Sequence, residues 1–376
     1  MNQYPTFFTT LILIGLLSLG LVSAETNQSF LPEGNPHTPA FLNNGTQIPV
    51  GILVMKSGFV SDIGTEYLRA FDMVQQANPE SRIRPVIIDA GSNASIASSA
   101  WMNMKNTTPY LPIVVTVASW TTNVVYPDTA DTEIIQLALG SAVVNRSRLS
   151  DNLVRFTPGV EQESPILASY LSQYSRIVVI GGDNDLTNGY FSAFDTLLPG
   201  KIQLHAYYNP NDIDSTLNIT EIIQKDPDVI VLLSASEGGR VAELLRDAGI
   251  TAQLVGTRVI ERNSLAETNA TEGLIFTTPA LNMSHPFFQR YFDMYGEDAT
   301  FYGAEGFDAL TNLYSVGSAC KKSSDCIYSG FKDKTYTGAL GTVRFDEKGV
   351  ATYPITLKIV HDGIFEDYSG NFSVIS

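Results

Sequence analysis

The residues of this 376-residue chain best able to move a proton near neutral pH are four histidines, His37, His205, His285 and His361. They are scattered over a linker, a strand, a helix start and the tail, and none has a neighbouring partner of the kind that acid–base catalysis needs. The nucleophile elbow G-x-S-x-G, the phosphate loop G-x-x-x-x-G-K-[ST], the zinc pair H-E-x-x-H and the dinucleotide fingerprint G-x-G-x-x-G do not occur. Gly181-Gly182-Asp183 follows a strand but lacks the later glycine that lets a backbone approach pyrophosphate. A hydrolase on such a scaffold would have neither nucleophile nor base, so the chain is read as a non-enzyme without cofactor. What remains is binding chemistry. Ser119-Trp120-Thr121-Thr122 ends an apolar strand and opens a helix, where hydroxyls, unpaired amide hydrogens and the helix dipole favour a carboxylate. An ordinary N-cap has the same composition. Gly140-Ser141, after the next strand, offers a second hydroxyl at the same edge and favours binding.

The elements that must position these groups alternate. Ile48 to Met55 is an apolar strand, Lys56-Ser57-Gly58 a turn, and Tyr67, Leu68, Phe71 and Val74 share one helix face. Strands follow at Arg84 to Asp89, Leu111 to Val117, Ile134 to Leu139 and Val154 to Thr157, with helices between, which is repeated βαβ and hence a parallel sheet. A second set begins after Thr157-Pro158-Gly159, with strands at Arg176 to Ile180, Ile202 to Tyr207, Asp228 to Leu233, Gln253 to Val255 and Leu274 to Thr277. Past Thr278-Pro279 the period turns helical, and the tail reads as a small β element, Gly341 to Phe345 and Ile355 to Val360, joined by the turn Asp346 to Gly349. Two α/β lobes result, with the strand ends as the ligand edge.

Composition bounds the setting. There are 39 acidic against 23 basic residues, a net charge of −16, and no basic tract follows an element, which excludes nucleic acid as a partner. Residues 7–22 are apolar and uncharged and end in Val22-Ser23-Ala24, short of the roughly 20 residues of a membrane span. Residues 1–24 are therefore read as a signal peptide and 25–47 as a linker, placing the protein outside the cytoplasmic membrane. No Lys or Arg precedes the run, so an uncleaved N-terminal anchor is the alternative. The two cysteines, Cys320 and Cys326, are expected to form one local disulfide and no metal site. Nine Asn-x-Ser/Thr triplets, at Asn27, Asn44, Asn93, Asn106, Asn145, Asn218, Asn269, Asn282 and Asn371, are candidate glycan acceptors or simply turn residues.

The segments IPVGILVMKSG, LVRFTPG, SRIVVIGGDND, PDVIVLLSASEGG, LVGTRV, EGLIFTTP and GALGTVRFDEKG resemble the periplasmic branched-chain amino-acid-binding proteins, the type I solute receptors of ABC importers. That resemblance implies the two-lobed periplasmic-binding-protein type I fold, an α/β class in which each lobe is a mainly parallel sheet flanked by helices and three hinge crossings join them. It places residues 48–157 and 279–336 in lobe I, 158–278 and 337–376 in lobe II, and crossings near Thr157-Pro158, Thr278-Pro279 and Gly338 to Gly341. It implies a monomeric receptor that closes on an amino acid or organic acid and serves a membrane permease, with an anchored extracellular sensor of the same fold as the alternative. By the same resemblance Ser119 holds the ligand carboxylate, Ser141 shares its polar head, Leu139 offers a carbonyl and Tyr302 lines the pocket, with Trp120, Thr121, Gly140 and Asp183 beside them. Four residues depart from the family: Arg258 stands where a carboxylate takes the ligand's ammonium, Leu186 and Ala235 stand for binding aromatics, and Ile63 for another. An arginine there would repel an ammonium and suit a second carboxylate, unless it turns outward or pairs with Asp183, Glu237 or Glu261.

Overall fold

The computed structural model describes residues 47–143, 151–266, 268–320 and 323–370. The expected signal peptide, all but the last residue of the linker, and the triplets at Asn27, Asn44, Asn145 and Asn371 lie outside them. Among the described residues no helix is long and apolar enough to cross a membrane.

The first sheet is built from β1 (Ile48–Val54), β2 (Ile83–Asp89), β3 (Ile113–Val117), β4 (Ile135–Leu139) and β5 (Leu153–Arg155). All pair in parallel, in the order β2-β1-β3-β4-β5. Every residue of β3 and β4 is buried, Thr116 and Gln136 among them, as in mainly apolar strands covered on both faces. The helices α1 (Ser61–Ala77), α2 (Ala94–Thr107) and α3 (Ser119–Thr129) follow β1, β2 and β3. In α1 the residues Ile63, Tyr67, Ala70, Phe71 and Val74 repeat at three and four positions and form the stripe turned to the core.

The second sheet repeats the plan. After α4 (Val160–Leu171) come β6 (Ile177–Gly182), α5 (Asp185–Leu197), β7 (Ile202–Tyr208), the short α6 (Ile213–Thr216) and α7 (Ile219–Gln224), β8 (Val229–Leu233), α8 (Gly238–Asp247) and β9 (Gln253–Gly256). A 3-10 turn at Arg258–Ile260, the short α9 (Asn263–Ala266) and β10 (Ile275–Pro279) complete the set. The order β7-β6-β8-β9-β10 reproduces that of the first sheet. In each sheet the order reverses between the first and third strands of the set, and the crevice beyond the carboxyl ends at such a switch point is where open α/β sheets hold ligands.

Helices α10 (Pro286–Tyr295), α11 (Phe301–Cys320) and α12 (Ser324–Phe331) return to the first core, through Phe287, Tyr291, Phe301, Leu313 and Phe331. Cys320 and Cys326 are joined by a disulfide, with Cα atoms 5.4 Å apart. A third, small sheet follows, β11 (Thr335–Gly338), β12 (Gly341–Phe345) and β13 (Ala351–Thr352), and then the second sheet is extended by β14 (Ile355–His361), antiparallel to β10, and β15 (Ile364–Asp367), antiparallel to β14.

The tail corrects two expectations. Gly338 to Gly341 is a hairpin between β11 and β12 and not a hinge crossing. Ala339, Leu340, Val343, Phe345, Ala351 and Tyr353 pack in the core of the first sheet, so residues 337–353 do not belong with the second lobe. The physical cause is an aromatic cluster: Phe345 meets Phe156 of the first crossing at 4.8 Å between ring centroids and Phe331 at 5.9 Å. The chain passes to the second sheet for the last time between Tyr353 and Ile355, and β12 and β14, read as one β element, fall in different sheets.

Candidate functional site

A cleft of about 370 Å³ lies at the switch points of both sheets. From the first sheet it takes Met55 beyond β1, with Val60 and Ile63 of the turn into α1, then Val117 to Trp120 beyond β3 and Gly140 beyond β4. From the second it takes Asp183 to Leu186 beyond β6, Leu233 and Ala235 at the end of β8, and Arg258 and Val259 beyond β9. Tyr302, at the start of α11, completes it. Two helices that open on the cleft are capped by asparagines: Asn93 accepts from the Ile96 amide at 3.0 Å and Asn184 from that of Thr187 at 3.0 Å.

The turn from β3 into α3 is strained. Ala118 sits at φ 76° and ψ 152°, a region that glycine alone occupies at little cost, worth on the order of 1–3 kcal/mol for another residue. It is held there because its amide donates to Leu139 O at 2.9 Å and its carbonyl accepts from Thr122 N at 3.0 Å. The consequence is that α3 begins one residue after the strand, with the first residues of its first turn, Ser119 and Trp120, on the cleft wall. Ser119 is the first residue of that helix and no N-cap; its Oγ accepts from the Val143 amide at 3.3 Å, which leaves its hydrogen free to donate.

Of the residues expected from sequence, Ser119, Trp120, Gly140, Asp183, Leu186, Ala235, Arg258 and Tyr302 line the cleft, as does Ile63. Thr121, Leu139 and Ser141 stand behind its wall. The Leu139 carbonyl accepts from Ala118, the Ser141 amide donates to Thr157 Oγ1 at 2.9 Å, and the buried hydroxyls of Thr121 and Ser141 have no hydrogen-bond partner.

Arg258 neither turns outward nor pairs with the acids its neighbourhood suggested. It is 1% exposed and its guanidinium Nη1 donates to Oε2 of the fully buried Glu163, on α4. Glu163 Oε1 also accepts from the Arg258 amide at 3.2 Å and from the Thr277 hydroxyl. The other carboxylates are engaged or distant: Glu237 accepts from Tyr208 OH at 2.8 Å and Ala235 N at 3.2 Å, Glu261 binds Lys358 Nζ at 2.7 Å, and Asp183 is exposed at the rim. Sequence reading passed over Glu163, although its place among Val160, Ser164 and Leu167 on the buried face of α4 marks an acid at a core position.

Buried carboxylates also tie the strand ends together. Glu305 on α11 accepts from Gly140 N at 2.9 Å, Thr157 Oγ1 at 2.6 Å and the Tyr67 hydroxyl. Burial pushes its carboxyl above the usual range, against those three donors and the Arg258 charge, which pull it down. Thr277 binds Glu163 and Thr278 donates to Glu261 at 2.7 Å, so threonines at both earlier passages between the sheets are anchored on acids. Across the cleft, Asp62 accepts from Ser236 Oγ at 2.9 Å and lies 2.9 Å from Arg262 Nε, while Asn123 donates to Asp185 at 2.9 Å. The lobes therefore meet along two sides of the site.

Residues 47–360 match the family model described as periplasmic binding protein. No curated protein matches the chain. Among solved structures, an extracellular ligand binding receptor from Desulfohalobium retbaense is 31% identical with a TM-score of 0.83, over 86% of this chain and 60% of that one. The chain thus spans about three fifths of that receptor's length. A leucine binding protein from Thermotoga maritima is 19% identical with a TM-score of 0.77, over 86% of this chain and 98% of the other. A solute binding protein of an ABC transporter from Rhodopseudomonas palustris, in complex with 3,4-dihydroxy benzoic acid, is 13% identical with a TM-score of 0.76, over 88% and 98%.

Proposed function

The chain belongs to the periplasmic binding protein family, and from that premise we propose that it is an extracytoplasmic receptor without catalytic activity, which closes on a small carboxylic acid with an apolar body and hands it to the permease of an ABC importer. One lobe comprises the first and third sheets with α10 to α12, and the other the second sheet with β14 and β15. The observation that carries the ligand class is the pairing of Arg258 with Glu163. With that charge cancelled, this end of the cleft calls for neither a second anion nor an ammonium. The strongest recognition left is for one carboxylate at the start of α3, where the Ser119 hydroxyl and the first-turn amides supply donors. Met55, Val60, Ile63, Trp120 and Leu186 then suit an aliphatic or aromatic body. The aromatic acid held by the R. palustris protein is a ligand of this kind.

A second reading, an amino acid, draws on Glu237, whose carboxylate lines the cleft and would take an ammonium. Calorimetric titration of ligand-stripped protein with benzoate, 4-methylpentanoate and leucine separates the two. The acids are expected to bind, leucine is not, and Ser119→Ala weakens the acids by roughly tenfold to a hundredfold, the loss of one hydrogen bond to a charged group. Tight binding of leucine with no response to either acid rejects the carboxylic acid.

A further inference from the structure

Arg258, on the 3-10 turn beyond β9, and Glu163, on α4, belong to the second-lobe side of the cleft, whereas Ser119 and the start of α3 belong to the first-lobe side, and the pair is sealed from water: the arginine is 1% exposed and the glutamate 0%. Arg258 lines the cleft and its guanidinium lies 5.8 Å over the Phe301 ring, while Glu163 stands behind it. Only one guanidinium nitrogen, Nη1, is hydrogen-bonded to Glu163, and Nε is buried with no hydrogen-bond partner. The arginine thus keeps donors that its partner does not use, but not its net charge.

We infer that Glu163 is the specificity-determining residue for ligand charge: by cancelling Arg258 it makes the cleft reject acids that carry a second carboxylate. The inference rests on the carboxylic-acid reading of the site. A second carboxylate entering this end would be stripped of water beside a neutral pair, which returns little for the lost hydration. Removing the Glu163 charge leaves the guanidinium without its hydrogen-bonded partner in the same closed space, with Glu305 acting on it only through charge, and a ligand carboxylate becomes its natural partner. Glu163 has no place on the cleft wall, so it acts through Arg258 as a positioning residue.

The test compares 4-methylbenzoate with terephthalate, two acids of one body that differ in a methyl or a carboxylate at the far end. Affinities are measured by calorimetry on the full chain for wild type, Glu163→Gln, and the double variant Glu163→Gln/Arg258→Met. Wild type is expected to favour 4-methylbenzoate, Glu163→Gln to shift the ratio toward terephthalate at least tenfold, and the double variant to restore the wild-type preference. A residue needed only for folding would weaken both acids alike and leave the ratio where it was. If Glu163→Gln does not fold, Arg258→Gln is the mirror case, and there the ratio must move further toward 4-methylbenzoate. Binding of 4-methylbenzoate by wild type with an unchanged ratio in the variants overturns the inference and leaves the receptor standing. Failure of wild type to bind either acid overturns the ligand reading and this inference with it.

Discussion

Gly64 sits where α1 meets the end of β1, and a Cβ built on it would lie 1.6 Å from the Met55 carbonyl oxygen. In an ordinary helix interior, replacing Gly by Ala stabilises by about 1 kcal/mol. Here the contact must open beyond 3.0 Å, so the helix has to retreat from the strand by about 1.4 Å, in an interior packed as tightly as a molecular crystal. Overpacking of this sort costs about 1–3 kcal/mol and sometimes more, and the obstacle is backbone, which cannot rotate away. Because backbone cannot give way, the upper end of that range applies, and with the propensity gain set against it Gly64→Ala is expected to destabilise by about 2 kcal/mol or more. Ligand affinity should fall with it, because Val60 and Ile63 at the start of that helix form a wall of the cleft. Urea unfolding reads the first effect as a lower midpoint at constant slope, and calorimetry reads the second. Gly239→Ala in α8 is the control, since its Cβ would meet only the Thr268 methyl at an ordinary 3.5 Å, and that variant should be neutral or up to about 1 kcal/mol more stable. A Gly64→Ala protein as stable as wild type at the same slope would refute the close approach of helix and strand.

Two further outcomes follow from buried groups. The native carboxyl of Glu305 is raised by burial, so the folded state binds its proton more tightly than the unfolded chain does. Its contribution is fully present below the unfolded value near 4.5 and is lost as pH rises through the raised native one. Glu305→Gln should accordingly gain stability relative to wild type as pH climbs from 4.5 toward neutrality, and parallel urea midpoints for the two proteins across that range would argue against a raised carboxyl. Phe345→Ala empties the aromatic cluster that fastens the third sheet to the first core, and should cost about 3–5 kcal/mol in global unfolding. A loss below about 1 kcal/mol would return residues 341–353 to the surface or to the other lobe.

Local pattern carried the architecture. The apolar runs of β1, β3, β4, β6 and β8 alternate with helical stripes, and that period alone prescribes parallel sheets, two sets of them, and a ligand edge at the strand ends where Ser119 and Gly140 fall. Three features needed the folded chain. The partner of Arg258 lies 95 residues away, and charge type along a sequence does not say which of several acids a buried arginine will meet. The alternation of Val343 and Phe345 announces one buried face, but periodicity is a property of one strand and is silent on which core receives it, so the crossing expected near Gly338 to Gly341 falls instead between Tyr353 and Ile355. Leu139 ends a strand and Ser141 follows it much as Ser119 follows β3, yet the strained turn at Ala118 takes up the Leu139 carbonyl and the crossing threonine Thr157 takes the Ser141 amide. Period-two and helical patterns are written in neighbours along the chain, whereas charge compensation and sheet allegiance are settled between residues that only the fold makes neighbours.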